Sequence, residues 1–387
     1  MLEAPQRFES YGAVVLYDLV KVLELDASGF RGFHGIVTIG DDVFRDIASR
    51  TAIIVPIKNE ELLTLEGVIS AIPHDSLVIV VSASDRKPVD RYRHEVDLAK
   101  VLNHTTRRGI VVFHQKDEAW VEALADTQLE LMLGEDGVRS GKGEGMLLGV
   151  IAAAALGYRY IGFIDSDNYV PGSVNEYARI YYAGFHLLES EYSMVRIKWP
   201  FKGKLASSDM YLRRRGRVSR ITNRFMNTAL SLVRKVETDI IKTGNSGEHA
   251  LTTRLALSMK WAGGYAVEPY QLVYLLEECY LNIESGSCPA LPHQVKILQV
   301  EARNPHIHAE KGDEHINSMI AKSLGTIYHS KLAVGGIRRE IEEVLSQYQV
   351  GLKPVAPRIY DPRDIDASKV FTQFISNSRD ALILEGV

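Results

Sequence analysis

Two aspartates one residue apart, Asp165 and Asp167, close the apolar run "YIGFID" within "YIGFIDSDNYVPG" at residues 160–172. Carboxylates at i and i+2, just past a buried strand, present oxygens to one divalent cation, and that cation can bridge a diphosphate. The same residues also suit an Asx turn and a helix entry at Pro171. "VPIKNE", residues 55–60, sets Pro56, Ile57, Asn59 and Glu60 between a strand and a helix. A first loop of this kind holds a nucleobase and ribose, although Glu60 is equally a first-turn acid favoured by the helix dipole. "GEDGVRSGKGEG", residues 134–145, offers glycine N–H groups, Arg139 and Lys142 to phosphates. It is not a Walker A loop: Gly137 to Gly141 is one residue too short, and Gly143 replaces the Ser or Thr after the lysine.

"LRRRGRVSR", residues 212–220, crowds five arginines around Gly216. A solvated basic face or an RNA strip would look similar. Without a stacking ladder or wider basic patch, a compact guanidinium clamp for a small anion fits better. "TGNSGEHA", residues 243–250, reads as a glycine-flanked polar turn leading into a helix, fit to hold a substrate hydroxyl or merely to cap. In "NPHIHAEKG", His306 and His308 alternate and share one face of an extended segment.

These groups need elements to carry them. "TAIIVPI", "SLVIVVSAS", "GIVVFHQ" and "YIGFID" are near-continuous apolar runs, the pattern of strands covered on both faces. Helical patterns at 60–72, 92–103, 118–133 and 145–156 lie between them. The alternation predicts an α/β fold with a parallel, doubly wound sheet, and ligands bind beyond the carboxyl ends of such strands. Lys58 to Glu60, Ser82 to Ser84, His114-Gln115 and Asp165 to Asn168 would then open onto one crevice. Further on, a helix runs from about Glu176 to Ser190. "YSMVRIKWPF", "SSDMYLRRRGRVSR" and "HQVKILQVEARN" read as strands of a mixed region. Amphipathic helices cover 314–332 and 337–348, and the tail from Gly351 wraps or extends. The expected divisions are an N-terminal extension (1–50), a nucleotide-sugar half (51–175), an acceptor half (176–312) and a helical extension (313–387) suited to a homodimer contact.

The 387 residues, 46% hydrophobic and 24% charged with net charge −4, describe a globular chain with no general attraction for nucleic acid or membrane. The N-terminus lacks a signal-peptide h-region, and the most apolar stretch, 146–156, is shorter than the roughly 20 residues of a membrane span. A cytoplasmic protein is expected, with Cys279 and Cys288 as two buried or idle thiols in preference to the single disulfide they could form.

In their order, "VPIKNE", "RSGKGEGM", residues 162–177, "GRVS", "TGNSGEHA", "NPHIHAEKG" and "IYHSKLA" resemble the mannosyl-3-phosphoglycerate synthase family, retaining glycosyltransferases of the GT-A fold. Glucosyl-3-phosphoglycerate synthases are more distant relatives. The resemblance implies a Rossmann-like sheet with a mixed acceptor region, GDP-mannose as donor and 3-phosphoglycerate as acceptor. It assigns Pro56, Ile57, Asn59, Glu60, Ser82 and Ser166 to the donor, with Lys142 at its diphosphate or sugar and Asp165 at its ribose or sugar. Gly216, Arg217, Ser219, Thr243, Asn245 and Glu248, with Arg139, fall to the acceptor. Asp167 and His308, with His306 as rival, would hold a divalent metal: Mg²⁺, or the Mn²⁺, Co²⁺ or Zn²⁺ that a histidine ligand suits. Asp167, Lys142 and Arg217 would carry catalysis. Attack on the same face as the leaving group is expected, because no carboxylate stands out as a nucleophile. A glucosyl-transferring enzyme, a sugar-phosphate nucleotidyltransferase and a non-enzymatic nucleotide or RNA binder are the other readings. The nucleotidyltransferase would place a glycine- and arginine-rich signature where "VPIKNE" stands.

Overall fold

The computed structural model describes residues 8–19, 39–199, 202–206, 209–213, 217–308, 312–348 and 354–386. One ten-stranded sheet organises them. Its strands in chain order are β1 (Phe8–Tyr11), β2 (Val14–Leu19), β3 (Thr51–Ile57), β4 (Leu77–Ser82), β5 (Ile110–His114), β6 (Tyr160–Phe163), β7 (Ser193–Lys198), β8 (His249–Thr252), β9 (Val295–Glu301) and β10 (Leu382–Leu384). Across the sheet they run β1-β2-β9-β7-β8-β6-β3-β4-β5-β10. The four apolar runs predicted as parallel strands are β3 to β6, with β3 between β6 and β4 and β5 beyond β4. β8 runs antiparallel to both β6 and β7, and β9 runs parallel to β7 and β2. The sheet is therefore mixed on one side, as expected.

The near-continuous apolarity has the predicted cause. Ala52 and Ile54 of β3 face one core, whereas Ile53, Val55 and Ile57 face another. Helices α1 (Asp41–Ser49), α2 (Leu62–Ala71), α3 (Arg91–Thr106) and α6 (Pro171–Leu188) cover the second face. The first is covered by α4 (Ala119–Leu124), α5 (Lys142–Ala155), α8 (Thr253–Ser258), α9 (Val267–Leu276), α10 (Asp313–Tyr328) and α12 (Ala367–Asn377). Two helices complete the set, α7 (Arg217–Arg234) and α11 (Ile337–Gln347).

Several expectations are corrected. The helix expected over 118–133 stops at Leu124, because Asp126 turns to φ 57 and the Thr127 hydroxyl donates to Leu124 O at 2.7 Å, ending the ladder. Among the described residues of "SSDMYLRRRGRVSR", Asp209–Arg213 is strand, and the stretch ends in a helix that starts at Arg217. "TGNSGEHA" leads into strand β8, not a helix. Cys279 and Cys288 are not free thiols but a disulfide: a π-turn and a 3₁₀ turn between them bring their Cα atoms to 4.6 Å. Nine residues of spacing do not disclose such a fold-back.

The ends of the chain join the same body. β1 and β2 extend one edge of the sheet, and β10 pairs with β5 at the other. In α12, Phe374 stacks on Trp120 with ring centres 3.7 Å apart. The apolar stripe of α11, Ile337, Ile341 and Leu345, is buried within the chain's own core, so its amphipathicity supplies no argument for a dimer. Among the described residues no helix is long and apolar enough to cross a membrane.

Candidate active site

The carboxyl ends of β3 to β6 converge, as the parallel topology requires. They open on a cavity of about 430 Å³ whose lining includes Pro56, Ile57, Gln115, Asp165 and Asp167. Glu60, Lys142, Ser166, Ser219, Asn245, His306 and His308 also face it.

At its centre Lys142, the first residue of α5, bonds Asp165 Oδ1 at 2.6 Å and Glu268 Oε1 at 2.7 Å. Burial pushes the ammonium's pKa down, but the two carboxylates win and hold it well above the ordinary lysine value. The trio carries one net negative charge. Gly247 makes it compact: a Cβ there would run into the Asp165 carboxylate and come within 3.0 Å of Lys142 Nζ. The glycines of "GKGEG" have a related task. The buried Glu144 carboxylate accepts from Gly264 N and Tyr360 Oη, both at 2.8 Å, and a Cβ at Gly141 or Gly263 would strike it. Glu144 therefore ties the Lys142 loop to the C-terminal tail.

Asp167 is 7% exposed, in a turn that is bonded to the histidine segment. Tyr169 N donates to Ile307 O at 2.9 Å, and Ser173 Oγ donates to Pro305 O at 3.0 Å. The pairing sets the histidine segment against the Asp167 turn, and His306, His308 and Asp167 all line the cavity. The two histidines differ. His306 is 2% exposed, its Nδ1 lies 3.3 Å from Glu248 Oε1, and its ring tilts against Trp199. His308 is half-buried at the cavity surface. Among the described residues no three His, Cys, Asp or Glu side chains form a ready-made metal cage.

The 243–248 turn is fixed from behind by polar groups that sequence reading missed. Arg196 on β7, wholly buried, donates to Thr243 O at 2.8 and 3.2 Å, to Gln271 Oε1 at 2.9 Å and to Glu268 O at 3.1 Å. Burial without a carboxylate partner on its fork lowers its pKa to about 10. His249 Nδ1–H donates to Ser246 O at 2.9 Å, and its Nε2 accepts from Gln271 at 3.0 Å. Burial, then the charges of Arg196 and Lys142, keep this imidazole well below its ordinary pKa and hence neutral. Gln299 accepts from the Thr243 hydroxyl at 2.9 Å, and Asn245 Nδ2 donates to Ser323 of α10 at 2.7 Å.

The remaining expected residues lie elsewhere. Asn59, at φ 62, clasps Asp85 through both ends of its amide, at 2.8 and 2.9 Å. Ser82 is buried and accepts from Ser84 N at 3.2 Å. Arg139 folds onto Leu131 O at 3.2 Å. Thr243 and Glu248 are buried in the turn behind the cavity wall. Gly216 and the side chain of Arg217 lie outside the described residues. Glu268 did leave a signal in the sequence, a lone acid within the apolar helix "VEPYQLVYLL".

A charged cavity at the carboxyl edge of a mostly parallel sheet is where this class of α/β protein binds small polar or anionic ligands. A family model described as mannosyl-3-phosphoglycerate synthase matches residues 4–374. The chain is 52% identical over 382 residues to the mannosyl-3-phosphoglycerate synthase of Aeropyrum pernix, covering 98% of each. It is 41% identical over the full length of both chains to the enzyme of that name from Pyrococcus furiosus. A crystal structure of glucosyl-3-phosphoglycerate synthase from Mycobacterium tuberculosis with Mn²⁺, UDP and glucosyl-3-phosphoglycerate overlaps 81% of this chain and 86% of its own. Its TM-score is 0.48 at 17% identity, too loose to bear on the site. The chain belongs to the mannosyl-3-phosphoglycerate synthase family and is a glycosyltransferase.

Proposed function

We propose that the enzyme transfers mannose from GDP-mannose to the 2-hydroxyl of 3-phosphoglycerate with retention, releasing GDP. The observation that carries this reading is the meeting in one cavity of the β3 end, the Lys142–Asp165 pair, Asp167 with His308, and Ser219 with Asn245. In this reading Pro56, Ile57 and Glu60 face the nucleoside. The net-negative trio of Lys142, Asp165 and Glu268 suits sugar hydroxyls and a ring gaining positive charge, since a diphosphate would be repelled there. Asp167 and His308 are a fitting pair for a divalent ion. A carboxylate and an imidazole would be two protein ligands for such an ion, and substrate and water oxygens could supply the rest, so no three-residue cage is needed. When bound, such an ion supplies positive charge against the departing diphosphate.

Asp165 and Glu268 each commit an oxygen to Lys142, which makes both poor nucleophiles. The acceptor hydroxyl therefore attacks the anomeric carbon from the leaving-group side. The new C–O bond forms as the bond to phosphate breaks, and the hydroxyl proton passes to the leaving phosphate oxygen. Arg217 would grip the acceptor's charge.

The test is a product assay with GDP-mannose or GDP-glucose and 3-phosphoglycerate, with and without chelator. Metal-dependent mannosyl-3-phosphoglycerate and GDP are expected. Preference for GDP-glucose would point to the glucosyl reading, and release of pyrophosphate from GTP with a sugar phosphate would replace the reading with a nucleotidyltransferase. Asp167→Ala should abolish metal-stimulated turnover and weaken metal-dependent GDP binding in calorimetry. A variant with unchanged binding would remove Asp167 from the ion.

A further inference from the structure

Lys142 cannot serve as an anion clamp while two carboxylates hold it. A phosphate entering the cavity is better met by a cation that is not neutralised in this way; besides Lys58 and Lys116 at the ends of β3 and β5, α10 presents one on the side of the 243–248 turn. His315, Met319 and Lys322 recur at i, i+4 and i+7 and line the cavity, as one helical face must. The helix is anchored on another face by Ile320, Leu324 and Ile327, all buried, so the core fixes where that wall stands. The Lys322 ammonium lies 5.3 Å from the centre of the Tyr265 ring, an aromatic face rather than a carboxylate. Tyr265 in turn meets His315 edge-on at 5.0 Å. Such packing restrains a flexible side chain while leaving its charge in place, which lowers the ordering cost of binding an anion. Ser323, the next residue, bonds Asn245 of the 243–248 turn, so this lysine stands beside the side of the cavity assigned to the acceptor.

We infer that Lys322, supported by Tyr265 and His315, forms a phosphate-binding subsite on α10, taking either the phosphomonoester of the acceptor or a phosphate of the nucleoside diphosphate. This deepens the proposed function and rests on it for the two ligands named. An ammonium serves phosphate as a point charge, and this one stands exposed on the cavity wall, where an entering anion can reach it.

The test compares wild type with Lys322→Ala and Lys322→Arg. It uses calorimetric titration of 3-phosphoglycerate and of GDP separately, KM values for both substrates, and thermal unfolding. Lys322→Ala should keep its melting temperature and bind one of the two ligands roughly tenfold or more weakly. Lys322→Arg should restore that ligand to within a few-fold. Weakening confined to 3-phosphoglycerate assigns the subsite to the phosphomonoester, and weakening confined to GDP assigns it to the diphosphate. Affinities for both within twofold of wild type, or equal losses for both together with a lowered melting temperature, would overturn the subsite. Binding is read without turnover. Wild type that binds both ligands but forms no product would therefore sink the proposed function and leave the subsite standing.

Discussion

Along the ends of β3 to β5, the cavity wall is made by loops that hold themselves in place with local, partly exposed bonds, such as the Asn59–Asp85 clasp. Across from it, the 243–248 turn is held by a wholly buried network running from Arg196 through Gln271, His249 and Gln299. Both walls end at the same Lys142–Asp165 pair, yet their stability comes from different sources. Parallel strand ends are placed by topology and need little further support. The 243–248 turn has no ladder of its own to pair its carbonyls, so buried side-chain donors do that work.

Arg196→Leu should separate the walls most sharply. It removes every bond the buried guanidinium makes to the carbonyls of Thr243 and Glu268 and to the Gln271 amide oxygen and leaves a poorly filled polar site, so unfolding in urea should show a loss of about 3–5 kcal/mol. A loss under 1 kcal/mol would mean that the network is not what holds that wall. Gly247→Ala tests the same turn from the front. Its Cβ meets Asp165 and Lys142, and displacing them by a fraction of an ångström should lower kcat about 100-fold with a small change in stability. Near-normal kcat would show that the trio tolerates movement.

His249 gives the buried wall a pH signature. Its folded pKa lies below the ordinary value near 6.5, so below that pH the unfolded chain takes up a proton that the folded chain refuses. Stability is thus complete above about pH 6.5 and falls as the solution becomes more acidic, by about 1.4 kcal/mol per pH unit at most. The slope should shrink in His249→Gln. Parallel pH–stability curves for the two proteins would mean that His249 takes up its proton in the folded state.

What could be read beforehand divides along the same line. The strands at 51–57, 77–82, 110–114 and 160–163 are legible because burial on both faces writes a continuous apolar run. Their polar ends are legible because topology alone makes them converge. Arg196 and Gln271 are not, since each is a polar residue in a mostly apolar element whose partners come from distant segments, and His249 is not, since its far nitrogen meets Gln271 22 residues on. The start of α7 at Arg217 is hidden by an arginine-rich stretch whose charge suggests a ligand more strongly than it suggests a helix. Glu268 lies between these cases: a lone acid in an apolar helix marks a buried partner without naming Lys142.

The smallest effect belongs on the exposed wall. Asn59 adopts a left-handed backbone, accepts from Asp85 N and donates to the Asp85 carboxylate, while its backbone N–H reaches Ser84 Oγ at 2.8 Å. Replacing it with alanine removes two partly hydrated side-chain bonds and adds the modest strain of a Cβ in that conformation, together about 1–2 kcal/mol. Asn59→Gly keeps the backbone relaxed and should recover part of the loss, which separates strain from bonding. Since the loop carries Ile57 and Glu60 into the cavity, the change should appear chiefly as weaker GDP binding, with kcat at saturating donor within a few-fold of wild type. A stability loss as large as that of Arg196→Leu would show that the two walls are built alike, because a partly hydrated clasp has water as a substitute partner and a buried guanidinium fork has none.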